Sequence, residues 1–160
     1  NVNEPKQTKN SAGPVQITNL KQMPQGSNKI SVMFDVEHVG SGNIYARTDS
    51  VPNNCDTALQ NPDRNKVTLK VYLSDQSSAN TQLTCTGGFA GSQTPTQDNP
   101  LVSELVLTQG TPRTVTCTVQ ETTVGQDVIA TDILYVDAEY NYGQTLNGQF
   151  VVKDIGSANE

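Results

Sequence analysis

"KISVMFDVEHV", residues 29–39, decides how this chain is read. Ile30, Val32, Phe34 and Val36 alternate with Ser31, Met33, Asp35 and Glu37, a period of two that predicts a half-buried strand with its even-numbered face against a core. "KVTLKVYL" (66–73) repeats the pattern, with Val67, Leu69, Val71 and Leu73 inward and Lys66, Thr68, Lys70 and Tyr72 outward. So does "RTVTCTV" (113–119), with Val115, Cys117 and Val119 on one face and three threonines on the other.

Six further strands are expected at 15–20, 43–46, 81–85, 101–107, 133–142 and 148–155. Between them lie breaks rich in glycine, proline and asparagine, such as "VGSGN", "QNPDRN", "TGGFAG" and "NYGQTLNG". Nine short strands leave almost no room for helix. The economical solution is one all-β domain, a single immunoglobulin-like antiparallel β-sandwich of about 8–9 strands with Greek-key connections, because two sheets with one apolar face each can cover one another. A barrel is the competing architecture. The long breaks at 47–65, with room for a helical turn around "DTALQ", and at 86–100 suit a sandwich whose loops gather at its ends, and any loop-borne binding surface is expected there. Residues 1–13, polar and carrying Pro5, read as an N-terminal arm or linker, residues 14–156 as the sandwich, and 157–160 as a polar tail.

Composition narrows the class. Of 160 residues, 34% are hydrophobic and only 16% charged, so the balance is uncharged polar, the texture of β-rich proteins outside the cell. Net charge is −6, unevenly spread. Residues 1–30 carry Lys6, Lys9, Lys21 and Lys29 against Glu4, whereas residues 121–160 carry seven acids, Asp132, Asp137 and Glu139 among them, against Lys153 alone. A solvated surface explains this asymmetry; head-to-tail attraction between copies is the sharper reading, with Lys6, Lys9, Lys21, Asp132, Asp137 and Glu139 as interface candidates. Nucleic acid is not an expected partner, since ten scattered basic residues form no stripe for phosphates. No apolar run approaches the roughly 20 residues of a membrane-spanning helix. The chain starts at Asn1, as it would after removal of a leader or excision from a longer protein.

Cys85 lies two residues after Leu83 and Cys117 two after Val115, so each shares the apolar face of its strand. A buried disulfide between them is the first expectation and buried free thiols the second; a metal comes last, since no closely spaced C-x-x-C pair occurs. Cys55, in the 47–65 break, is left to remain free, to pair with Cys85 or Cys117 instead, or to join another subunit. A bridge would place the protein in an oxidising compartment outside the cytoplasm.

Evidence for chemistry is thin. His38, the single histidine, has no nucleophile elbow to serve and reads as a hydrogen-bonded strand-end residue. Asp137 and Glu139 share the outward face of one strand, and with no tryptophan to stack a sugar they read as solvated edge charge, with calcium binding the competing use. "TGGFAG" lacks the helix and lysine of a phosphate loop. Tyr72 and Tyr135 are candidate contact anchors, or cross-strand packing residues. The expectation is no catalytic residue, cofactor or metal.

"PVQITNLKQMPQGSNKISVMFDVEHVGSGNIYA" (14–46) is similar to the opening of CARDB-like and related immunoglobulin-like modules of archaeal surface and secreted proteins, and the later order "NKVTLKVYL", "LTC", "LVLTQGTPRTVTC", "VDAEYNYGQTLNGQFVVKDI" also resembles them. His38 stands where the turn of those modules usually has asparagine, and the Cys…Trp…Cys pattern of antibody domains is absent. The resemblance implies an extracellular or cell-surface, non-enzymatic, structural or adhesive role; it carries over no binding residues. The expected function is a subunit of a surface assembly, a filament, pilus-like fibre or coat built from copies of itself, with a module that binds a surface glycan or protein through its loops as the alternative.

Overall fold

The computed structural model describes residues 8–26, 28–47, 61–74, 81–122, 133–149 and 151. Within them are nine strands and no helix: β1 (Val15–Pro24), β2 (Lys29–His38), β3 (Asn43–Tyr45), β4 (Lys66–Leu73), β5 (Thr81–Cys85), β6 (Leu101–Val106), β7 (Arg113–Glu121), β8 (Leu134–Glu139) and β9 (Asn141–Gly143). One sheet runs β1-β2-β7-β5, a second runs β6-β4-β8, and β3 pairs with β9. Every pairing is antiparallel.

The two larger sheets close over a single core. Phe34 and Val36 of β2, Leu83 of β5, and Val115 and Cys117 of β7 meet Val67, Leu69 and Val71 of β4 and Leu101 and Leu105 of β6. Each such burial contributes about 1.5–3 kcal/mol, and together they explain the period of two along Phe34–His38 of β2, Lys66–Val71 of β4 and the whole of β6. The sandwich expectation is therefore met. Greek-key order of the immunoglobulin kind is the finer expectation; the orders observed are those just given, with β6 inserted in sequence between β5 and β7 yet paired with β4.

Several local expectations are corrected. Ile30 is 36% exposed, whereas its neighbour Ser31, expected on the outward face, is fully buried, and the buried even-numbered face continues to His38. The expected strand 133–142 is interrupted at Tyr140, where the chain leaves β4 for β3. Of the expected strand 148–155, residues 148, 149 and 151 are described and lie in no strand. The "DTALQ" turn, Cys55, Lys6 and Asp132 lie outside the described residues.

Two stretches predicted as arm and loop prove to be edge covers. Residues 8–13 run beside β1, and the Asn10 carboxamide accepts from the Ile17 N–H and donates to the Ile17 carbonyl, both at 2.8 Å, doing for one residue what a neighbouring strand would do. Residues 86–100 do not hang from an end of the sandwich. They donate and accept along its side: the Leu83 N–H reaches the Gln93 carbonyl at 2.8 Å, the Leu73 N–H reaches that of Pro95, and Ala90 exchanges two bonds with Val102. Gly91 makes this path possible, since its φ of 144° is open to glycine and a Cβ there would meet the Pro100 carbonyl at 2.6 Å. No helix of the described residues is long and apolar enough to cross a membrane.

Candidate interface on the three-stranded sheet

Four of the sequence candidates, Tyr72, Tyr135, Asp137 and Glu139, gather on the outer face of β6-β4-β8. Tyr72 of β4 and Tyr135 of β8 stand directly opposite, Lys70 is opposite Asp137, and Thr68 opposite Glu139. Their rings stack with centroids 5.2 Å apart and planes 17° from parallel. The Tyr72 hydroxyl donates to Asp137 Oδ2 at 3.0 Å. Diagonally, Lys70 Nζ lies 2.7 Å from Glu139 Oε1, and Arg47, arriving after β3, holds the same oxygen at 3.4 Å. Lys66 and Glu104 form a further pair at 3.1 Å across β4 and β6. Such partly exposed pairs contribute little to stability, about 0–1 kcal/mol each; their effect is to fix the positions of charge on this face.

This geometry revises the roles assigned to the tyrosines. Tyr72, expected to project outward as a contact anchor, is only 9% exposed; Tyr135 stacks on its ring and Asp137 engages its hydroxyl. Tyr135, at 41%, is the ring that faces solvent. Exposed Ile133, Val102 and Val106 lie on or beside the same sheet. Asp137 is exposed, whereas Glu139 is engaged by two cations. Lys9 and Lys21 are exposed but belong to the other side of the molecule, on the arm and on β1, so the structure does not bring them to this face.

Lys21 instead flanks a second polar cluster. At the β1 bulge between Thr18 and Lys21, Asn19 adopts a φ of 52° and its amide donates to Asp35 Oδ2 at 2.8 Å, while the Thr114 hydroxyl donates to Asp35 Oδ1 at 2.6 Å. These bonds, that from Thr114 foremost, hold the Asp35 carboxyl below its ordinary range, assisted by Lys21. Sequence reasoning missed this cluster; its only signal was an asparagine, a residue that tolerates left-handed backbone, inside a strand pattern.

Cys85 and Cys117 form a disulfide, and they are paired residues of adjacent strands β5 and β7, with Cα atoms 4.0 Å apart. The bridge therefore staples neighbours within one sheet. Cys117 is fully buried and Cys85 partly so. His38 is 2% exposed and neither ring nitrogen has a hydrogen-bond partner among the described residues, which corrects the expectation of a hydrogen-bonded residue; burial pushes its pKa down. It sits near Pro14, Gly40 and Tyr142, where a Cβ on Gly40 would come within 3.3 Å of both His38 Nε2 and the Tyr142 hydroxyl. Tyr142 in turn accepts from the Gly42 N–H at 2.9 Å.

Comparison of the chain with family models, with curated proteins and with solved structures finds no match.

Proposed function

We propose that this chain is a non-enzymatic structural protein of the cell exterior, a subunit or module of a surface assembly such as a filament, pilus-like fibre or coat. The observation that carries the reading is the outer face of β6-β4-β8, where a solvent-facing tyrosine and ordered charges border the strand β8, whose outer edge no described strand pairs. Aromatic side chains with fixed charges around them favour protein contacts, and an unpaired edge gives main-chain bonds to a partner. The disulfide supports an oxidising location. A module that binds a glycan or protein through its loops is the second reading. It is weakened at 86–100, whose backbone is already bonded to β4, β5 and β6.

The location is tested by peptide mass mapping of protein taken from its native source, alkylated before any reduction. A Cys85–Cys117 linked peptide is expected. Alkylated Cys85 and Cys117 in native material would contradict an exterior location, and retention of a glycan or another protein by a monomeric chain would favour the loop-binding reading.

A further inference from the structure

The two larger sheets have four outer strands, β1, β5, β6 and β8, and three of them are blocked by their own chain. Asn10 occupies the β1 edge at Ile17, Gln93 bonds to β5 at Leu83, and Ala90 bonds to β6 at Val102. Natural sheets protect their edges in such ways. Nothing comparable covers β8 among the described residues.

The ladder fixes which main-chain groups of β8 are left open. Ser74 and Ile133 continue the register of β4 against β8, and the Ser74 N–H donates to the Ile133 carbonyl at 3.0 Å. Bonded and non-bonded pairs alternate along an antiparallel ladder, so Tyr135, Asp137 and Glu139 turn their N–H and carbonyl groups toward β4, whereas Leu134, Val136 and Ala138 turn theirs outward. Leu73, opposite Leu134, agrees: its N–H points away from β8, to the Pro95 carbonyl. The outward groups have no partner among the described residues. Leu134, Val136 and Ala138 also carry the core-side side chains of the strand, and each is only partly buried.

We infer that this edge pairs with the β8 edge of a second copy of the chain, antiparallel, with the two-fold axis at Val136; the inference rests on the assembly reading above and names the contact. Three features of β8 make it complementary to itself. With Val136 opposite Val136 of the other copy, Leu134 stands opposite Ala138, and since each of these pairs exchanges both of its bonds, no outward N–H or carbonyl of Leu134, Val136 or Ala138 is left open. Their side chains share one face, so apolar meets apolar on the core side. On the outer face Tyr135 of each copy then stands opposite Asp137 of the other. Tyr135 is the ring that faces solvent, and Asp137 accepts from Tyr72 through Oδ2, with Oδ1 open among the described residues. The neighbouring registers that keep the faces matched are worse. One sets Asp137 against Asp137, like charges directly opposed, and the other carries Ala138 past the start of the partner's β8. The contact joins two three-stranded sheets into one and, being two-fold, closes on itself, so a fibre or coat uses a second surface as well.

The test uses the full chain, labelled with heavy nitrogen, over a rising concentration series. Light scattering follows the mass and amide hydrogen exchange, read by NMR, follows the residues. Val136→Pro, which removes one outward N–H and none that bonds to β4, runs in parallel. The inference expects a mass of two chains, and exchange at Leu134, Val136 and Ala138 that slows as the pair forms, by about tenfold once about nine chains in ten are paired. Tyr135 and Asp137 should be slow already in the dilute monomer, and the variant should stay a monomer. Heavier species whose exchange at Leu134, Val136 and Ala138 is unchanged, or that persist in the variant, would overturn this contact while leaving the assembly reading standing. Slow exchange at all of these amides in the dilute monomer would show the edge closed within one chain, and would overturn the contact in the same way. A monomer at every concentration would overturn both. The exchange readings come from the unaltered protein, so they decide the matter even where Val136→Pro fails to fold.

Discussion

Tyr72 and Tyr135 face each other across β4 and β8 with their rings 5.2 Å apart, and the buried member of the pair donates its hydroxyl to Asp137. Removing the outer ring uncovers the inner one. Tyr135→Ala should therefore cost about 1 kcal/mol from the stack alone, and Tyr72→Phe about 1 kcal/mol from the lost bond, both read from urea unfolding followed by circular dichroism. Equal stability of all three proteins would mean that the stack contributes nothing in solution.

Asn10 serves as a substitute strand for Ile17, and its loss has a distinctive signature. Asn10→Ala should destabilise by about 1 kcal/mol and should speed amide exchange at Ile17 more than at Val36, its partner on β2. Asn10→Asp keeps the acceptor and loses the donor, so the Ile17 amide should stay protected. Unaltered exchange in Asn10→Ala would place the arm elsewhere in solution.

Acid should weaken the fold in two windows. His38 has a folded pKa below its ordinary 6.5 because burial disfavours the cation. The unfolded chain then takes up the proton first, so stability falls as pH drops below 6.5, by at most about 1.4 kcal/mol per pH unit for a single group. His38→Leu should flatten this segment of the profile. Asp35 is lowered from 3.8, so the stability it contributes is present above that value and is lost as pH falls through its folded pKa; Asp35→Asn should remove this second decline. Chemical denaturation at stepped pH separates the two, and a profile level from pH 7 to 5 would contradict the buried neutral histidine.

The disulfide closes a loop with a sequence separation of 32. Reduction, or Cys85→Ala with Cys117→Ala, should cost about 3 kcal/mol, chiefly by freeing the unfolded chain. Since β5 and β7 also share a ladder, the reduced protein should keep its sheet signal and melt earlier. Loss of all β-signal on reduction would show the bridge to be needed for folding itself.

How legible the fold was depended on periodicity. β2, β4 and β7 were plain in the sequence because each crosses the common core, which imposes a period of two. The same pattern located Cys85 and Cys117 on core faces. What periodicity cannot express is which strands become neighbours. Tyr72 reads as outward, and is so, yet only the pairing with β8 reveals the ring that covers it. The break at Tyr140 comes from a change of partner strand, and the edge covers by Asn10, Gln93 and Ala90 depend on single hydrogen bonds that leave no repeat behind. Ile30 continues the apolar alternation yet is exposed, whereas Ser31, out of phase with it, is buried.

The claim that this domain assembles with copies of itself is tested most directly by multi-angle light scattering of the full chain over a rising concentration series, at low salt and then at high salt. The account predicts masses that climb above the 17.2 kDa of one chain, with those stabilised by opposite charges falling back as salt is added. A mass of 17.2 kDa at every concentration and salt would contradict it.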